Sequence, residues 1–266
     1  MNMFSKLSAM AMAIIMVTGL TSCSGWDKVR ANSPGGEESA EQDKHYVIAT
    51  NLFFAPFEFQ NDFGEYVGID MDILSAIAKD QGFTYEIVPM TFNEMLDAVE
   101  DGVVDAALGG ISITEERKSR FDFSEPYFDS GIVMAVAASK QDITNYSDLT
   151  GKTVAVALGT EAEAFAKSIQ DMYGFNIVTF KNFSEVYNDI LKGNSVAGFE
   201  DYPVMGYIIS RGVELKIVSD IERRSSYGFI VPKDKNQELL EMFNKGLENL
   251  KATGEYQKIL DTYIRK

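Results

Sequence analysis

The sequence predicts an α/β protein built from two similar lobes, and three observations support that fold class. From His45 onward, short runs rich in β-branched and aromatic residues alternate with amphipathic runs of helical period. The alternation restarts near position 150, as it would at the start of a second unit of the same kind. Two segments separated by a constant offset also share residues. Strands that alternate with helices are typical of parallel-rich sheets covered by helices.

The first unit begins with three predicted strands and two predicted helices. The strands are 46–50, 83–88 and 103–108, and the helices are 70–81 and 92–101. Helix 70–81 carries apolar residues at helical spacing from Met71 to Ile77, and Asp70 stands near its start. Gly82 follows directly, and glycine is common just past the end of a helix.

The second unit repeats this pattern. Its predicted strands are 153–157, 177–180 and 196–199, and its predicted helices are 161–173, 183–191 and 202–210. Two more helices, 236–252 and 255–265, are predicted on either side of a Thr-Gly pair.

Two stretches of the chain are related by an offset of 91 residues. The triplet Phe-Asn-Glu at 92–94 matches Phe-Ser-Glu at 183–185, and Gly102 matches Gly193. The same offset carries Gly110 onto Asp201, and both positions follow a predicted strand. Open α/β sheets bind ligands at the carboxyl ends of their strands, so the pattern predicts a cleft between two such edges.

Composition excludes several classes of function. The chain has 266 residues, with 24 Lys and Arg against 40 Asp and Glu, for a formal net charge of −16. So acidic a protein lacks the basic surface that a nucleic-acid partner requires. The single Cys excludes an internal disulfide, and the single His argues against zinc hydrolases and Ser-His-Asp enzymes. We therefore predict no metal, no cofactor and no nucleic-acid partner.

The amino terminus predicts export. Lys6 precedes an apolar run, 7–19, that is too short to span a bilayer but suits a signal peptide. The run ends in Leu-Thr-Ser-Cys, which resembles a bacterial lipoprotein cleavage box. We predict a signal peptide at 1–22, a lipid such as palmitate on Cys23, and a flexible tether over 23–44. The alternative for Cys23 is a small buried hydrophobe.

Several motifs resemble those of one known family. They are Ala-Pro-Phe-Glu-Phe at 55–59, Val-Gly-Ile-Asp-Met-Asp at 67–72, Gly-Ile-Ser-Ile-Thr-Glu-Glu-Arg-Lys at 110–118, Phe-Asp-Phe-Ser-Glu-Pro-Tyr at 121–127 and Thr-Gly-Glu-Tyr at 253–256. In that order they resemble bacterial solute-binding protein family 3, the polar amino-acid-binding lipoproteins of ABC transporters. Within the family, Tyr-Glu-Ile-Val-Pro-Met at 85–90 favours the glutamine-binding branch.

The resemblance implies a two-lobed periplasmic-binding-protein fold of type II, with the ligand cleft between the lobes. Lobe 1 would comprise 45–128 plus 226–266, and lobe 2 would comprise 129–225. Two crossing strands would join the lobes near residues 129–131 and 225–226.

The resemblance also implies two charged ligand-binding residues. Arg117, in the family's T-x-x-R motif, would pair with the α-carboxylate of a free amino acid, because a guanidinium offers a planar two-pronged match. From its own run of charges alone, Arg117 would be an exposed helix residue. Asp201 would be the counter-charge of the α-ammonium group. Its alternative role is a helix N-cap, which Pro203 just after it makes plausible.

The resemblance implies further residues that contact the ligand's side chain or fix its orientation. These residues are Asn51, Phe54, Phe92, Gly110, Ser112, Thr160 and Glu161. Phe92 could instead be a core residue. Asn51 stands where several relatives have Asp, so it favours a neutral polar ligand such as glutamine. Glu161 and Glu200 would favour a cationic ligand if they faced the cleft.

The function implied is that of an extracytoplasmic, lipid-anchored and monomeric amino-acid-binding component of an ABC importer. It would capture a free L-amino acid by lobe closure and deliver it to a permease driven by an ATPase, without being an enzyme. The alternative is a cyclohexadienyl or arogenate dehydratase on the same fold. In that case Glu200 beside Asp201 would supply a general acid with a raised pKa.

Overall fold

Strands and helices alternate along residues 44–51 and 53–264, which are the residues that this computed structural model describes. The predictions for the signal peptide 1–22 and for lipidation at Cys23 lie outside the described residues. The described residues belong to one compact unit, Gln42–Lys266. None of the helices among them is long and apolar enough to cross a bilayer.

The strands and helices follow the predicted order. The strands are β1 (His45–Asn51), β2 (Phe59–Gln60), β3 (Tyr66–Val67), β4 (Thr84–Met90), β5 (Ala106–Ala107), β6 (Phe121–Phe123), β7 (Phe128–Ala137), β8 (Thr153–Ala157), β9 (Asn176–Phe180), β10 (Ala197–Asp201), β11 (Leu215–Ile217), β12 (Glu222–Tyr227) and β13 (Ile230–Pro232). The helices are α1 (Ile69–Gln81), α2 (Phe92–Glu100), α3 (Glu115–Lys118), α4 (Glu161–Tyr173), α5 (Phe183–Leu191), α6 (Tyr202–Ser210), α7 (Gln237–Thr253) and α8 (Glu255–Tyr263). A short 3-10 helix spans Tyr146–Leu149.

Two mixed sheets organise the fold. The first has the strand order β4-β1-β5-β13-β6, and the second has the order β11-β7-β10-β8-β9, with β12 also paired to β7. In each sheet three consecutive strands are parallel, β4-β1-β5 in the first and β9-β8-β10 in the second. The strands that the periodicity did not predict, such as β13 and β11, pair antiparallel beside these parallel cores.

The antiparallel pair of β7 and β12 joins the two halves of the molecule. Ser130 pairs with Ser225, and Phe128 pairs with Tyr227. Tyr227 also forms an isolated bridge with Ser112, which precedes α3. The pair lies at the positions where two crossing strands were predicted. The lobe boundaries themselves remain a prediction.

The 91-residue repeat is visible in the backbone. Helices α2 and α5 start and end at positions that differ by 91 residues, and each begins with a capping box. Thr91 and Glu94 form the first box, and Asn182 and Glu185 form the second, so both helices have their first free N–H groups satisfied. The repeated motif thus encodes one supersecondary unit that the fold uses twice.

Each parallel core is covered by an amphipathic helix. The buried face of α2, which includes Met95 and Val99, packs against Ala49 of β1. In the second sheet, Phe165 of α4 packs edge to face against Phe199 of β10, with ring centroids 5.2 Å apart. Burying each such large side chain stabilises the fold by roughly 1.5–3 kcal/mol. This packing holds the carboxyl ends of β5 and β10 in fixed positions.

Candidate functional site

A small cavity lies beside the carboxyl ends of β5 and β10. Its lining residues are Phe54, Phe92, Gly110, Ser112, Arg117, Thr160, Glu161, Phe183, Glu200 and Asp201. The lining includes every residue that the sequence analysis assigned to ligand binding except Asn51.

Arg117 is fixed by the short helix α3. The Thr114 hydroxyl caps this helix by accepting a hydrogen bond of 3.2 Å from the Arg117 N–H. The Arg117 side chain is buried, so its prediction as an exposed helix charge from the local run alone is wrong. Its Nη1 donates to the Ser112 carbonyl at 3.0 Å, and its Nη2 donates to the Gly159 carbonyl at 3.2 Å. One guanidinium therefore contacts the segment after β5 and the segment after β8.

The Arg117 charge is only partly balanced by the protein. Its guanidinium carbon lies 5.1 Å from the centroid of the Phe92 ring. Burial lowers the pKa of Arg117, and the negative charges of Glu161 and Asp201 oppose that shift. Among the described residues, however, Arg117 has no ion pair within 4.0 Å. A buried cation of this kind is suited to receiving an anionic group.

Asp201 ends β10 and occupies the N-cap position of α6. Its side chain makes no capping hydrogen bond, so the residue has the N-cap position without the N-cap contact. Instead Oδ2 accepts a hydrogen bond of 2.5 Å from the Tyr227 hydroxyl. Burial raises the pKa of Asp201 to about 6, while the Tyr227 hydrogen bond and the Arg117 charge oppose the rise. At neutral pH the group is predominantly a carboxylate, available to a cation.

The Tyr227 hydroxyl also links Asp201 to the crossing strands. It accepts a hydrogen bond of 3.0 Å from the Ser130 hydroxyl on β7 while donating to Asp201. Burial and the Asp201 charge raise the pKa of Tyr227 well above its usual value, so the phenol stays protonated and remains a donor. Tyr227 of β12 therefore contacts Asp201 Oδ2 directly, and Ser130 of β7 supports that contact through the Tyr227 hydroxyl.

Glu200 is buried beside Asp201. Its Oε1 accepts from the Asp201 backbone N–H at 2.8 Å, and its Oε2 accepts from the Tyr187 hydroxyl at 2.8 Å. Burial first, and then the Asp201 charge, raise the pKa of Glu200 to about 8. At neutral pH Glu200 is therefore mostly protonated and adds little negative charge to the cavity.

The start of α4 forms the opposite wall. Thr160 caps this helix, because its hydroxyl accepts from the Glu163 N–H at 3.2 Å and donates to the Ala157 carbonyl at 2.8 Å. Gly159 has a φ of +77°, and a Cβ placed on it would lie 1.8 Å from Asn93 Oδ1 of α2. Any other residue there would be strained by the positive φ and would require the Asn93 side chain to move.

Gly110 approaches an aromatic ring in the same way. Its φ is +59°, and a Cβ on it would lie 2.1 Å from an edge atom of the Phe54 ring. Its N–H donates to Asp70 Oδ2 at 3.1 Å, and the Tyr127 hydroxyl donates to the same oxygen at 2.8 Å. Burial first, and then the charge of Asp70, raise the pKa of buried Glu58 well above its usual value. Polar groups beneath the cavity thus fix the backbone at Gly110.

A model of the bacterial extracellular solute-binding proteins, family 3, matches residues 46–266. The match covers most of the chain and all of the residues that line the cavity.

The chain belongs to this family.

Relatives within the family are similar over nearly their whole length. The arginine-binding extracellular protein ArtP of Bacillus subtilis is 30% identical over 255 residues, which cover 96% of each chain. The resemblance stated from the sequence and the two-lobed type II fold are therefore both confirmed. The family's description as extracellular also agrees with a location outside the cytoplasm.

Solved structures of related proteins are similar over most of the chain. An ancestral arginine-binding protein bound to glutamine is 36% identical and has a TM-score of 0.77, with 84% of this chain and 98% of that chain covered. Substrate-binding domain 2 of Lactococcus lactis GlnP, in an open conformation, is 38% identical with a TM-score of 0.61, and the coverage is 87% and 99%.

Two residues that line the cavity of this protein were not among the predicted ligand-binding residues. Glu200 was noted only as a charge that would matter if it faced the cleft. Phe183 was noted only as the counterpart of Phe92 in the repeat, and its ring packs against that of Phe54 with centroids 4.9 Å apart. The 91-residue repeat could have predicted the position of Phe183, since Phe183 begins α5 as Phe92 begins α2.

Asn51 is not among the residues that line the cavity, and its role in ligand binding stays a prediction. It ends β1, is 3% exposed, and its backbone lies against Gly109. Its side-chain Nδ2 has no partner among the described residues. The choice of a neutral polar ligand therefore cannot rest on Asn51.

Proposed function

We propose that the protein captures a free polar L-amino acid, with glutamine favoured, and delivers it to the permease of an ABC importer. The observation that carries this proposal is that Arg117 and Asp201, buried and of opposite charge, line one cavity from segments that belong to different sheets. A free amino acid presents an anionic carboxylate and a cationic ammonium group at one carbon atom. The two side chains match those two groups.

Local charge matching is what makes the binding favourable. Burying a carboxylate and an ammonium group is costly unless each meets a charged, hydrogen-bonded partner. Arg117 meets the first group and Asp201 meets the second. A peptide bond in place of either group would remove one charge and leave one of these side chains buried without its partner.

Lobe closure follows from where the two residues sit. Arg117 lies after β5 and already reaches the Gly159 carbonyl after β8, whereas Asp201 ends β10. A ligand that touches both side chains binds the closed arrangement better than the open one, so it shifts the population toward closure. The closed form would present both lobes to the permease, which a separate ATPase drives.

The aromatic walls and the protonation of Glu200 favour an uncharged side chain on the ligand. Phe54, Phe92 and Phe183 supply apolar faces, and Glu200 is mostly neutral at pH 7. Ancestral arginine-binding proteins that are similar to this chain have been solved with glutamine and with arginine, so the preference rests on the lining residues. Glu161 is the one lining acid that favours a cationic ligand, and Arg223 pairs with it.

Binding rather than catalysis is the role that these contacts support. Both oxygens of Glu200 accept hydrogen bonds from Asp201 and Tyr187, which hold the group in place. The dehydratase alternative requires a cyclic carboxylate as substrate. Prephenate and arogenate therefore serve as the discriminating compounds.

A thermal-shift screen tests this function directly. The purified protein is heated with each of the twenty L-amino acids, with prephenate and with arogenate. A ligand at a hundred times its Kd stabilises by about 2.7 kcal/mol, which raises the Tm of a protein of this size by roughly 5 °C. A shift with glutamine or another polar amino acid supports the proposal. A shift only with a cyclic acid, accompanied by its turnover, would overturn it.

We also propose a monomer tethered to the membrane through a lipid on Cys23. The support is the Leu-Thr-Ser-Cys box and the polar segment after it. Labelled palmitate should be incorporated into the wild-type protein in cells and not into Cys23→Ser. Equal labelling of both would refute the anchor while leaving the binding function intact.

A further inference from the structure

Arg223 has an unusual backbone conformation for a strand residue. It lies in β12 with a φ of +38°, and the pairing of β12 with β7 shifts register between Glu222 and Ser225. A non-glycine residue in this region is strained, and such strain in proteins is concentrated at functional sites. The bulge is located on one of the two strands that cross between the halves of the molecule.

The Arg223 side chain reaches the start of α4. Its Nη1 lies 3.6 Å from Glu161 Oε2, and its guanidinium carbon lies 5.8 Å from the centroid of the Phe165 ring. Both partners belong to α4, whose first residue is Glu161. The bulge therefore holds a cation against the first turn of the helix that forms one wall of the cavity.

Glu161 would disturb the ligand site if it were left alone. Its side chain is only 18% exposed and lines the cavity with Arg117 and Asp201. The negative charge of Glu161 acts on both of those groups, raising the pKa of each. A carboxylate in this position competes with a ligand carboxylate for Arg117 and also repels it.

We infer that Arg223 is a positioning residue that holds and neutralises the Glu161 carboxylate at the edge of the cavity, so that Arg117 remains free for the α-carboxylate of the ligand. This inference rests on the proposed function and adds a residue that does not line the cavity. The Glu161 carboxylate faces three charged groups, which are those of Arg223, Arg117 and Asp201. Removal of Arg223 leaves Glu161 to turn its charge toward Arg117.

The experiment uses calorimetric titration of full-length variants with L-glutamine, L-arginine and L-glutamine α-amide. The variants are Arg223→Gln, Glu161→Gln, their double mutant and Arg224→Gln. Arg224 is the matched control, because it is the next residue of the same exposed bulge and loses the same charge. For whichever amino acid the wild type binds, Arg223→Gln should weaken binding about tenfold, which is the scale of one charge interaction near a protein surface.

Three further results are expected. The double mutant should bind like Glu161→Gln alone, because without the Glu161 carboxylate there is no charge for Arg223 to hold. The α-amide, which lacks the carboxylate, should be insensitive to Arg223→Gln. Arg224→Gln should bind like the wild type.

Other outcomes would overturn the role of Arg223. One is unchanged binding by Arg223→Gln, and another is a double mutant that binds as weakly as Arg223→Gln alone. A third is a gain in affinity for arginine in Arg223→Gln, which would mean that Glu161 faces the ligand's side chain. Failure of the proposed function itself is distinguishable. In that case the wild type and every variant would bind neither amino acid, and the inference would fail with it.

Discussion

The Tyr227 hydroxyl donates a hydrogen bond of 2.5 Å to Asp201 Oδ2, and so joins the crossing strand β12 to the carboxyl end of β10. The bond uses one of the two carboxylate oxygens and leaves Oδ1 for another partner. It also stabilises the charged form of Asp201, since it acts to lower a pKa that burial raises. The strand that connects the lobes thereby helps to set the charge of the group that we propose binds the ammonium.

Tyr227→Phe should therefore make ligand binding more sensitive to acid. Removal of the donor raises the pKa of Asp201 further above its present value of about 6, so the carboxylate is lost at a higher pH. Because an ammonium group requires the ionised form, affinity should fall about tenfold at pH 6 and less at pH 8. Titration calorimetry at the two pH values measures the difference.

Tyr256→Phe is the control for that experiment. The Tyr256 hydroxyl donates to the Tyr127 carbonyl, so this change removes a partly buried hydroxyl without touching Asp201. Its affinity should depend on pH as the wild type's does. An equal change in both variants would show that the effect of Tyr227→Phe is general loosening.

The sequence predicted the fold well where apolar residues recur at regular helical or strand spacing. Helices α2 and α5 and the parallel strands around them were predicted to within a few residues, because their apolar spacing and caps are local signals. Strand β5 was predicted as 103–108 but spans only Ala106–Ala107. Short antiparallel strands such as β13 were missed, since two or three residues carry no measurable period.

The candidate site was predictable in its charges and less so in its polar details. Arg117 lies in a run that reads as an exposed helix, and only the family motif indicated otherwise. Asn51 stays a prediction, because the end of β1 gives no indication of whether its side chain turns toward the cavity or into the core. Arg223 could not be predicted, since its contact with Glu161 depends on a bulge and on a separation of 62 positions along the chain.

Arg117→Ala should abolish amino-acid binding. The change removes the cation that we propose receives the α-carboxylate, and it also removes the positive charge that favours the ionised form of Asp201. Breaking a buried charge pair costs about 3–5 kcal/mol, which corresponds to a loss of at least a hundredfold in affinity. Titration with the ligand found in the thermal screen measures this.

Arg120→Ala is the matched control, because it removes the same side chain three residues later. Arg120 pairs with Glu100 and covers the Phe121 ring, away from the cavity. Its affinity should equal that of the wild type. Retention of normal affinity by Arg117→Ala would show that the site has been assigned to the wrong residues.

Glu200→Gln should flatten the pH dependence of stability. The pKa of Glu200 is about 8 in the folded protein and about 4.3 in an unfolded chain. Between these values the folded state binds more protons, so the free energy of unfolding falls as pH rises, by up to about 1.4 kcal/mol per pH unit from this group. Glutamine keeps the shape and stays neutral, so the variant should gain stability over the wild type at pH 8 relative to pH 5.

Urea unfolding at pH 5 and pH 8 measures that difference. Glu214→Gln, which neutralises an exposed carboxylate of the same half, serves as the control and should follow the wild-type curve. A Glu200→Gln curve parallel to that of the wild type would mean that Glu200 is ionised in the folded protein. The cavity would then carry a further negative charge, and a cationic ligand would be favoured.

Gly159→Ala should prevent closure without unfolding the protein. A Cβ at this position would lie 1.8 Å from Asn93 Oδ1, across the approach of α4 to α2. The φ of +77° also strains any other residue by about 1–2 kcal/mol. We therefore expect a modest fall in Tm together with a large loss of ligand affinity, and no ligand-induced decrease in the radius of gyration measured by small-angle X-ray scattering.

Gly193→Ala separates the two causes, because Gly193 has nearly the same φ, +76°, with no heavy atom within 4 Å of its Cβ position. It should share the loss of Tm while keeping both the affinity and the ligand-induced compaction. Adding Asn93→Ala to Gly159→Ala removes the obstructing side chain and should restore part of the affinity. If Gly193→Ala lost binding as well, or if Gly159→Ala still compacted with ligand, the contact between Gly159 and Asn93 would not belong to the binding-competent state. In that case the hydrogen bond from Arg117 to the Gly159 carbonyl would not be part of the closed, ligand-bound state.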